Sequence, residues 1–327
     1  MSNLQIIVPV FNEQEVVDLF YAKIKQILQT CDVHWSILFV DDGSSDGTVQ
    51  HLEFLCHKDS RVGFITLSRN FGKEYALTAG LDHADADVVV VIDVDLQDPP
   101  ELIPQMLELW QEGYDVVYAT RKRREGETYL KKATATWFYR IINAMSNISI
   151  PKDTGDYRLL DIKAVRALNK LRESNRFMKG LFAWIGYKQK AIYFDRKQRA
   201  AGTTKWNMRK LFSFAVDGIT SFSYVPLKFA TWIGVSVALF SFVYGLVVIA
   251  KTLVFGSDLP GYPSLMVVIL FLGGIQLMAL GIIGEYLGRL FEENKHRPLY
   301  LIDKYQPPKQ KPQGTGQGDS QGDRHEL

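Results

Sequence analysis

The stretch Val89-Val90-Val91-Ile92-Asp93-Val94-Asp95-Leu96-Gln97-Asp98-Pro99-Pro100 decides the reading of the fold. Its β-branched run is the signature of a strand buried on both faces, as in parallel sheets, and it ends in carboxylates followed by a Pro pair suited to opening a helix. Ligands of open α/β sheets bind outside the carboxyl ends of the strands. Two carboxylates one residue apart in a non-helical turn can share a hard divalent cation, which would then be available to grip a diphosphate.

Working outward, the same strand-turn-helix unit recurs. Leu4 to Val10 leads into Pro9-Val10-Phe11-Asn12-Glu13, after which Val16, Val17, Phe20, Ile24 and Ile27 have helical spacing. Trp35 to Val40 leads into Asp41-Asp42-Gly43-Ser44-Ser45-Asp46-Gly47-Thr48, and Val62 to Leu67 into Arg69-Asn70-Phe71-Gly72-Lys73. With Val88 to Ile92 as a fourth strand, the alternation implies βαβ units and a parallel sheet. A further strand is expected at Asp115 to Ala119, running into the basic cluster Arg121-Lys122-Arg123-Arg124. Each turn alone has a plain structural reading: Ser45 or Asp46 can cap a helix, Gly72 can serve a tight bend, and Asp93 or Asp95 can cap the helix at Pro99. Together they fall at one edge of one sheet and converge on a crevice.

The pattern then turns amphipathic. Tyr129 to Ser146 interleaves Lys131, Lys132 and Arg140 with Trp137, Phe138, Ile141, Ile142 and Met145, which suits an interfacial helix or one packed on the sheet. Asp153-Thr154-Gly155-Asp156-Tyr157-Arg158 reads as a loop before a helix at Ile162 to Leu171. A strand near Ala191 to Phe194, the basic loop from Arg196 to Lys205 and a second interfacial helix around Leu211 to Ile219 follow.

Composition separates two worlds within the 327 residues: charge dominates the first two thirds, apolar residues the part after Phe229. Phe229 to Ala250 and Leu265 to Ile283 carry no charge, and runs of about 20 residues span a hydrocarbon core roughly 30 Å thick. Lys205, Arg209, Lys210 and Lys228 flank the first run, and Arg289, Lys295, Arg297 and Lys304 the second, whereas the linker Phe255 to Pro263 has no Lys or Arg. The positive-inside rule then predicts both termini in the cytoplasm. The start lacks a basic n-region and an apolar h-region, and Cys31 and Cys56 follow no disulfide or metal spacing, which suits a reducing compartment. The net charge of +2 does not itself argue for nucleic acid as a partner. From about Gln306 the chain is rich in Gln, Gly, Pro and charge, and disorder is expected.

A crevice with acids for ring and hydroxyl groups, a carboxylate-held metal and nearby cations suits a nucleoside diphosphate carrying a leaving group. Neither Gly-x-x-x-x-Gly-Lys-Ser/Thr nor Gly-x-Gly-x-x-Gly is present, which disfavours a P-loop enzyme and a dinucleotide cofactor, and no serine elbow or zinc signature occurs.

Val8-Pro9-Val10-Phe11-Asn12-Glu13, Asp41-Asp42-Gly43-Ser44-Ser45-Asp46, Arg69-Asn70-Phe71-Gly72-Lys73-Glu74 and Asp93-Val94-Asp95-Leu96-Gln97-Asp98 together resemble the family 2 polyprenyl-phosphate glycosyltransferases. The resemblance extends from about Leu4 to Tyr305 through Gly155-Asp156-Tyr157-Arg158, the run from Arg199 to Lys205, Gly261 to Leu265 and Gly284 to Arg289, and is nearest the bactoprenol glucosyltransferases of O-antigen glucosylation. It implies an α/β fold: a GT-A (Rossmann-like), mostly parallel sheet domain with amphipathic interfacial helices and two C-terminal transmembrane helices. The expected organisation is a cytoplasmic catalytic domain over 1–205, including an interfacial helix at about 129–147, then a second interfacial helix over 206–228. Membrane helices over 229–254 and 264–288 follow, joined by an extracytoplasmic loop at 255–263. A cytoplasmic juxtamembrane segment over 289–305 and a disordered tail over 306–327 complete the chain.

The resemblance also implies residue roles. Pro9, Phe11, Glu13, Val40 and Asp42 match positions that hold nucleobase and ribose. Asp93 and Asp95 match the aspartate-x-aspartate site, with Asp95, Gln97 and Asp93 as ligands of Mg or Mn and Asp93 also as a donor contact. Arg121 matches a phosphate-facing arginine. Arg199 and Lys205 match a basic loop over donor diphosphate and lipid phosphate, and Lys131 or Lys132 a further basic position. Asp156 is the matching catalytic carboxylate, read equally as an orienter of Arg158, Arg199 or the metal. Thr204 stands where serine is common and Phe11 where tyrosine is.

The implied reaction is inverting transfer of a hexose, glucose from UDP-glucose first, to undecaprenyl phosphate at the inner membrane, supplying cell-envelope glycosylation. Another UDP-sugar (aminoarabinose type, GlcNAc or Gal) or GDP-mannose stays open, because Glu13 and Asp42 would contact either base. A non-catalytic nucleotide-sugar-binding scaffold is the reading from another class. Nucleic acid is not an expected partner; a homo-oligomer, by resemblance a tetramer, is. Gly284 and Gly288 form a small-xxx-small pair, and Glu285 with Arg289 reads first as a local ion pair.

Overall fold

The computed structural model describes residues 1–121, 154–194, 225–255 and 261–309. The predicted interfacial helix at 129–147, nearly all of that at 206–228, and the site residues Lys131, Arg199 and Lys205 lie outside them. Two compact units divide the chain, one built from Met1–Gln105 with the segment from Tyr300 onward, the other from Met106–Leu299.

The first unit carries the predicted alternation. Strands β1 (Asn3–Val10), β2 (His34–Asp41), β3 (Val62–Leu67) and β4 (Val88–Val91) alternate with helices α1 (Val17–Leu28), α2 (Thr48–Lys58) and α3 (Lys73–Asp82). The spatial order is β4-β1-β2-β3, and every pairing among them is parallel. All of β3 and β4 is buried, as a sheet covered on both faces requires. α3 lies close on this sheet: a Cβ on Gly80 would stand 2.4 Å from Ile7 Cγ2 and 3.1 Å from Val40 Cγ2. After β4 the Pro pair opens a short 3₁₀ turn, Pro100–Leu102, that runs into α4 (Ile103–Gln111).

A fifth strand of this unit departs from the prediction. β8 (Ile302–Gln306) pairs antiparallel with β3, matching Phe64 to Gln306 and Thr66 to Lys304. The segments expected to be juxtamembrane chain and disordered tail are therefore folded as far as Lys309, whose N–H reaches Ser60 O at 2.7 Å. Gly63 makes this possible, since a Cβ there would lie 2.5 Å from Pro308 and 2.6 Å from Gln306 O. Tyr300 donates to Asp82 at 2.8 Å and Lys304 pairs with Glu53 at 2.5 Å.

In the second unit the order is β7-β5-β6, with β5 (Val116–Arg121) parallel to β7 (Gln189–Phe194) and antiparallel to β6 (Thr154–Asp161). β6 corrects the loop expected at 153–158. Its polar look misleads because Arg158 is buried: the guanidinium lies 3.6 Å from the Phe182 ring centroid and donates to Gly155 O at 2.9 Å. The pairing with β5, not apolar alternation, makes this segment a strand. Helices α5 (Ile162–Leu168) and α6 (Met178–Trp184) belong to the same unit, and α5 is capped by Asp161, which accepts from Lys163 N–H at 2.9 Å.

Two long helices, α7 (Val225–Phe255) and α8 (Tyr262–Asn294), contain both uncharged runs and exceed them at either end. Each is long and apolar enough to cross a membrane. Phe229, Trp232, Leu239 and Phe240 on α7 and Leu277, Leu280 and Leu287 on α8 are more than half exposed, a surface costly to keep in water at about 25 cal/mol per Å². Glu285 and Arg289 form the predicted i,i+4 ion pair at 3.0 Å.

Candidate active site

Strand register builds the site. Val10 pairs with Asp41 and Asp41 with Thr66, so β1, β2 and β3 end level with one another, while β4 stops lower, with Val91 opposite Ile7. The turns that follow these four strands therefore gather at one edge of the sheet, where Asp42 is buried and Asp93 and Asp95 are partly exposed.

Hydrogen bonds lace the first two turns together. Asn12 N–H donates to Ser44 Oγ at 2.8 Å and Ser45 N–H returns to Asn12 Oδ1 at 2.8 Å, while Glu13 N–H reaches Thr48 Oγ1 at 3.0 Å. Asn12 takes the left-handed backbone, φ 54°, that Asn tolerates better than most residues. The result presents half-exposed Phe11 and Glu13 beside buried Pro9 and Val40, all four expected to contact the nucleoside.

Asp42 binds the second turn to the third. Its carboxylate accepts from Phe71 N–H at 2.7 Å and Gly72 N–H at 2.9 Å. Burial raises its pKa and those two amides pull it partly back. Asp41 is deeper still: burial raises its pKa, Ser44 N–H donates to Oδ2 at 3.0 Å, and Oδ1 has no hydrogen-bond partner among the described residues. Gly43 allows the close approach of these turns, with φ +70° and a notional Cβ only 2.5 Å from Arg69 C.

The third turn delivers the residue that sequence reasoning left without a role. Gly72, at φ 112°, precedes α3, whose first residue, Lys73, stands 2.7 Å from Asp93 Oδ1 and 2.8 Å from Oδ2. The Arg69-to-Lys73 motif was the only signal for it. Its contact with Asp93 depends on strand order, which local spacing does not encode.

Below it, Leu96 sits in the left-handed region at φ 56°, a conformation that costs a non-glycine residue about 1 kcal/mol or more. Gln97 N–H folds back on Asp95 Oδ1 at 3.1 Å, and Gln97 is almost wholly buried. Two carboxylates and an amide oxygen in one turn are hard donors that fit Mg or Mn. Among the described residues no three His, Cys, Asp or Glu side chains cluster as a metal cage. The set therefore suits a cation that completes its shell with phosphate oxygens and water.

The other predicted residues fall in the second unit. Asp156 lies in β6, and Arg158 donates to the main-chain carbonyls of Gly155 and Asp156. Arg121 closes β5, opposite Phe194 in register.

This arrangement, a parallel sheet whose strand ends carry an acidic turn and two hydrogen-bonded turns, is that of a ligand-binding α/β domain. Residues 5–168 match the glycosyl transferase family 2 and residues 225–290 the GtrB C-terminal hairpin. An uncharacterized glycosyltransferase of Synechocystis sp. is 51% identical over 91% of this chain and 94% of its own. The bactoprenol glucosyl transferase of Shigella phage SfV is 46% identical over 91% of this chain and 97% of its own. Among solved structures, mannosyl-3-phosphoglycerate synthase from Rubrobacter xylanophilus aligns over 66% of this chain and 71% of its own, with 18% identity and a TM-score of 0.46. The chain belongs to glycosyltransferase family 2 and is a glycosyltransferase carrying the GtrB-type C-terminal hairpin.

Proposed function

We propose that this enzyme transfers a hexose, glucose from UDP-glucose first among candidates, to undecaprenyl phosphate with inversion at the anomeric carbon. The observation that carries this reading is the joint presence, in one chain, of the acidic turn at Asp93 to Gln97 and two apolar helices long enough to span a bilayer. The 46% identity to a bactoprenol glucosyl transferase across 97% of that protein supports it.

In this reading Pro9, Phe11, Glu13, Val40 and Asp42 hold the nucleoside. Asp95, Gln97 and Asp93 hold Mg or Mn, and Asp93 also contacts the donor; when bound, the cation supplies charge neutralisation at the diphosphate leaving group. Arg121, Arg199, Lys205 and Lys131 are assigned to the donor and lipid phosphates. The acceptor phosphate has a second pKa of about 6 and is largely dianionic at neutral pH, so it attacks the anomeric carbon without needing a strong base. Asp156 is then assigned to orienting cationic partners as readily as to proton transfer.

The two apolar helices anchor the chain in the membrane that carries the lipid-borne acceptor. Basic flanks around Lys228 and Arg297 put both termini in the cytoplasm and make the chain a multi-pass inner-membrane protein. A homo-oligomer, a tetramer by resemblance, completes the proposal, and cell-envelope glycosylation such as that of O-antigen would consume the product.

Competition tests the donor. Full-length protein with undecaprenyl phosphate and Mg or Mn is given radiolabelled UDP-glucose against excess unlabelled UDP-GlcNAc, UDP-galactose or GDP-mannose. Labelled lipid whose yield excess unlabelled UDP-glucose lowers and the other nucleotide sugars leave unchanged is the expected result; no labelled lipid from UDP-glucose, with product formed from another labelled nucleotide sugar, would reassign the donor.

A further inference from the structure

We propose that Lys73 is a built-in counter-ion of the acidic turn: it occupies the cation's electrostatic place on Asp93 while the site is empty and gives it up when metal and nucleotide arrive together. The proposal rests on the reading of Asp93, Asp95 and Gln97 as the metal site.

Three observations carry it. Lys73 Nζ lies within 2.8 Å of both Asp93 oxygens, so the ammonium occupies the carboxylate atoms that would be needed to hold a divalent cation. The lysine is held there by its backbone: Asp42 ties down the amides of Phe71 and Gly72, and Gly72 at φ 112° starts α3 at Lys73. Both partners also remain partly open, with side-chain exposures of 44% for Lys73 and 33% for Asp93, so the pair can open without unfolding the turn.

Physical consequences follow from charge alone. A bare carboxylate pair binds divalent ions readily, which would load the site before the donor arrives; an ammonium already seated there opposes that step. When the metal comes with a nucleoside diphosphate, the released ammonium gains the phosphate oxygens as its new partners. The lysine thus makes metal and nucleotide binding mutually dependent, a coupling that must be reciprocal. Because the amides that place Lys73 hang on Asp42, a residue assigned to the nucleoside, the same hydrogen bonds join both halves of the donor site.

The test is Mn²⁺ binding to the full-length detergent-solubilised protein, followed by electron paramagnetic resonance of free Mn²⁺, with and without UDP. In the unmodified protein UDP should strengthen Mn²⁺ binding markedly. Lys73→Met, which keeps the stem and removes the charge, should bind Mn²⁺ alone about tenfold more tightly, and the gain from UDP should shrink. Lys73→Arg, which restores the charge, should return towards the unmodified behaviour. Binding of Mn²⁺ alone by Lys73→Met that is unchanged or weaker would overturn the role of Lys73 and leave the metal site standing. Unmodified protein that binds no Mn²⁺ even with UDP would overturn the metal reading and this proposal with it.

Discussion

Asp42 Oδ1 accepts the Phe71 N–H at 2.7 Å, so the carboxylate assigned to the nucleoside is also the clamp that fixes the next turn of the crevice. Asp42→Ala should therefore do two things at once: weaken donor binding by about tenfold or more and loosen the Arg69 to Lys73 turn. Asp42→Asn retains an oxygen acceptor for one amide and should lose less of each. Titration of UDP against the purified variants, alongside their melting temperatures, separates the two effects.

Gly43 sets how tightly these turns can close. A methyl group there would meet main-chain Arg69 C at 2.5 Å in a backbone region that already penalises side chains. Gly43→Ala should cost about 3 kcal/mol and lower the melting temperature of the full-length protein in detergent. Gly113 has a positive φ but open space around it, so Gly113→Ala should cost about 1 kcal/mol and serves as the comparison.

Acid sensitivity should trace to Asp59, at the other end of the sheet. Arg61 Nη2 at 2.7 Å, Tyr21 Oη at 2.8 Å and Lys25 Nζ at 3.3 Å converge on Asp59 Oδ2, and the Arg61 hydrogen bond is the chief reason its pKa is depressed. A depressed carboxyl pKa favours the folded state above the unfolded value, about 3.9, and that stabilisation is lost as pH falls through and below it. Asp59→Asn should lose about 2 kcal/mol at neutral pH and show a flatter decline of stability as pH falls from about 4 to 2. Denaturant melts across that range check the slope.

The added strand β8 should anchor the first unit. Gly63→Val would drive a side chain into Pro308 and the Gln306 carbonyl, detaching the edge strand from β3. Limited proteolysis should then cut between Arg297 and Lys309 faster than in the unmodified protein, while Lys304→Ala, which removes only the exposed pair with Glu53, should change the cutting little.

These particulars explain what sequence alone could and could not reach. The first four strands announced themselves because each is a mostly apolar run closed by a polar turn, and Val62–Leu67 came out residue for residue as expected. β6 did not, because its Arg158 is hidden against Phe182 and local polarity mimicked a loop. β8 did not, because Ile302 to Tyr305 are exposed and the partner that makes them a strand lies in β3. The acidic turn was legible as chemistry, yet Lys73 acquires its meaning only through the neighbour that strand order gives it.

Sugar transfer to a polyprenyl phosphate through the acidic turn is the reaction proposed for this enzyme. Its most direct test incubates purified full-length protein and Asp95→Ala with radiolabelled UDP-glucose, undecaprenyl phosphate and supplied Mg or Mn, followed by organic extraction of lipid product. Labelled lipid from the unmodified protein, dependent on added undecaprenyl phosphate, is expected, with a loss of about 10³-fold or more in the variant. Full activity of Asp95→Ala would contradict the metal role, and no lipid product with any nucleotide sugar would contradict the transfer itself.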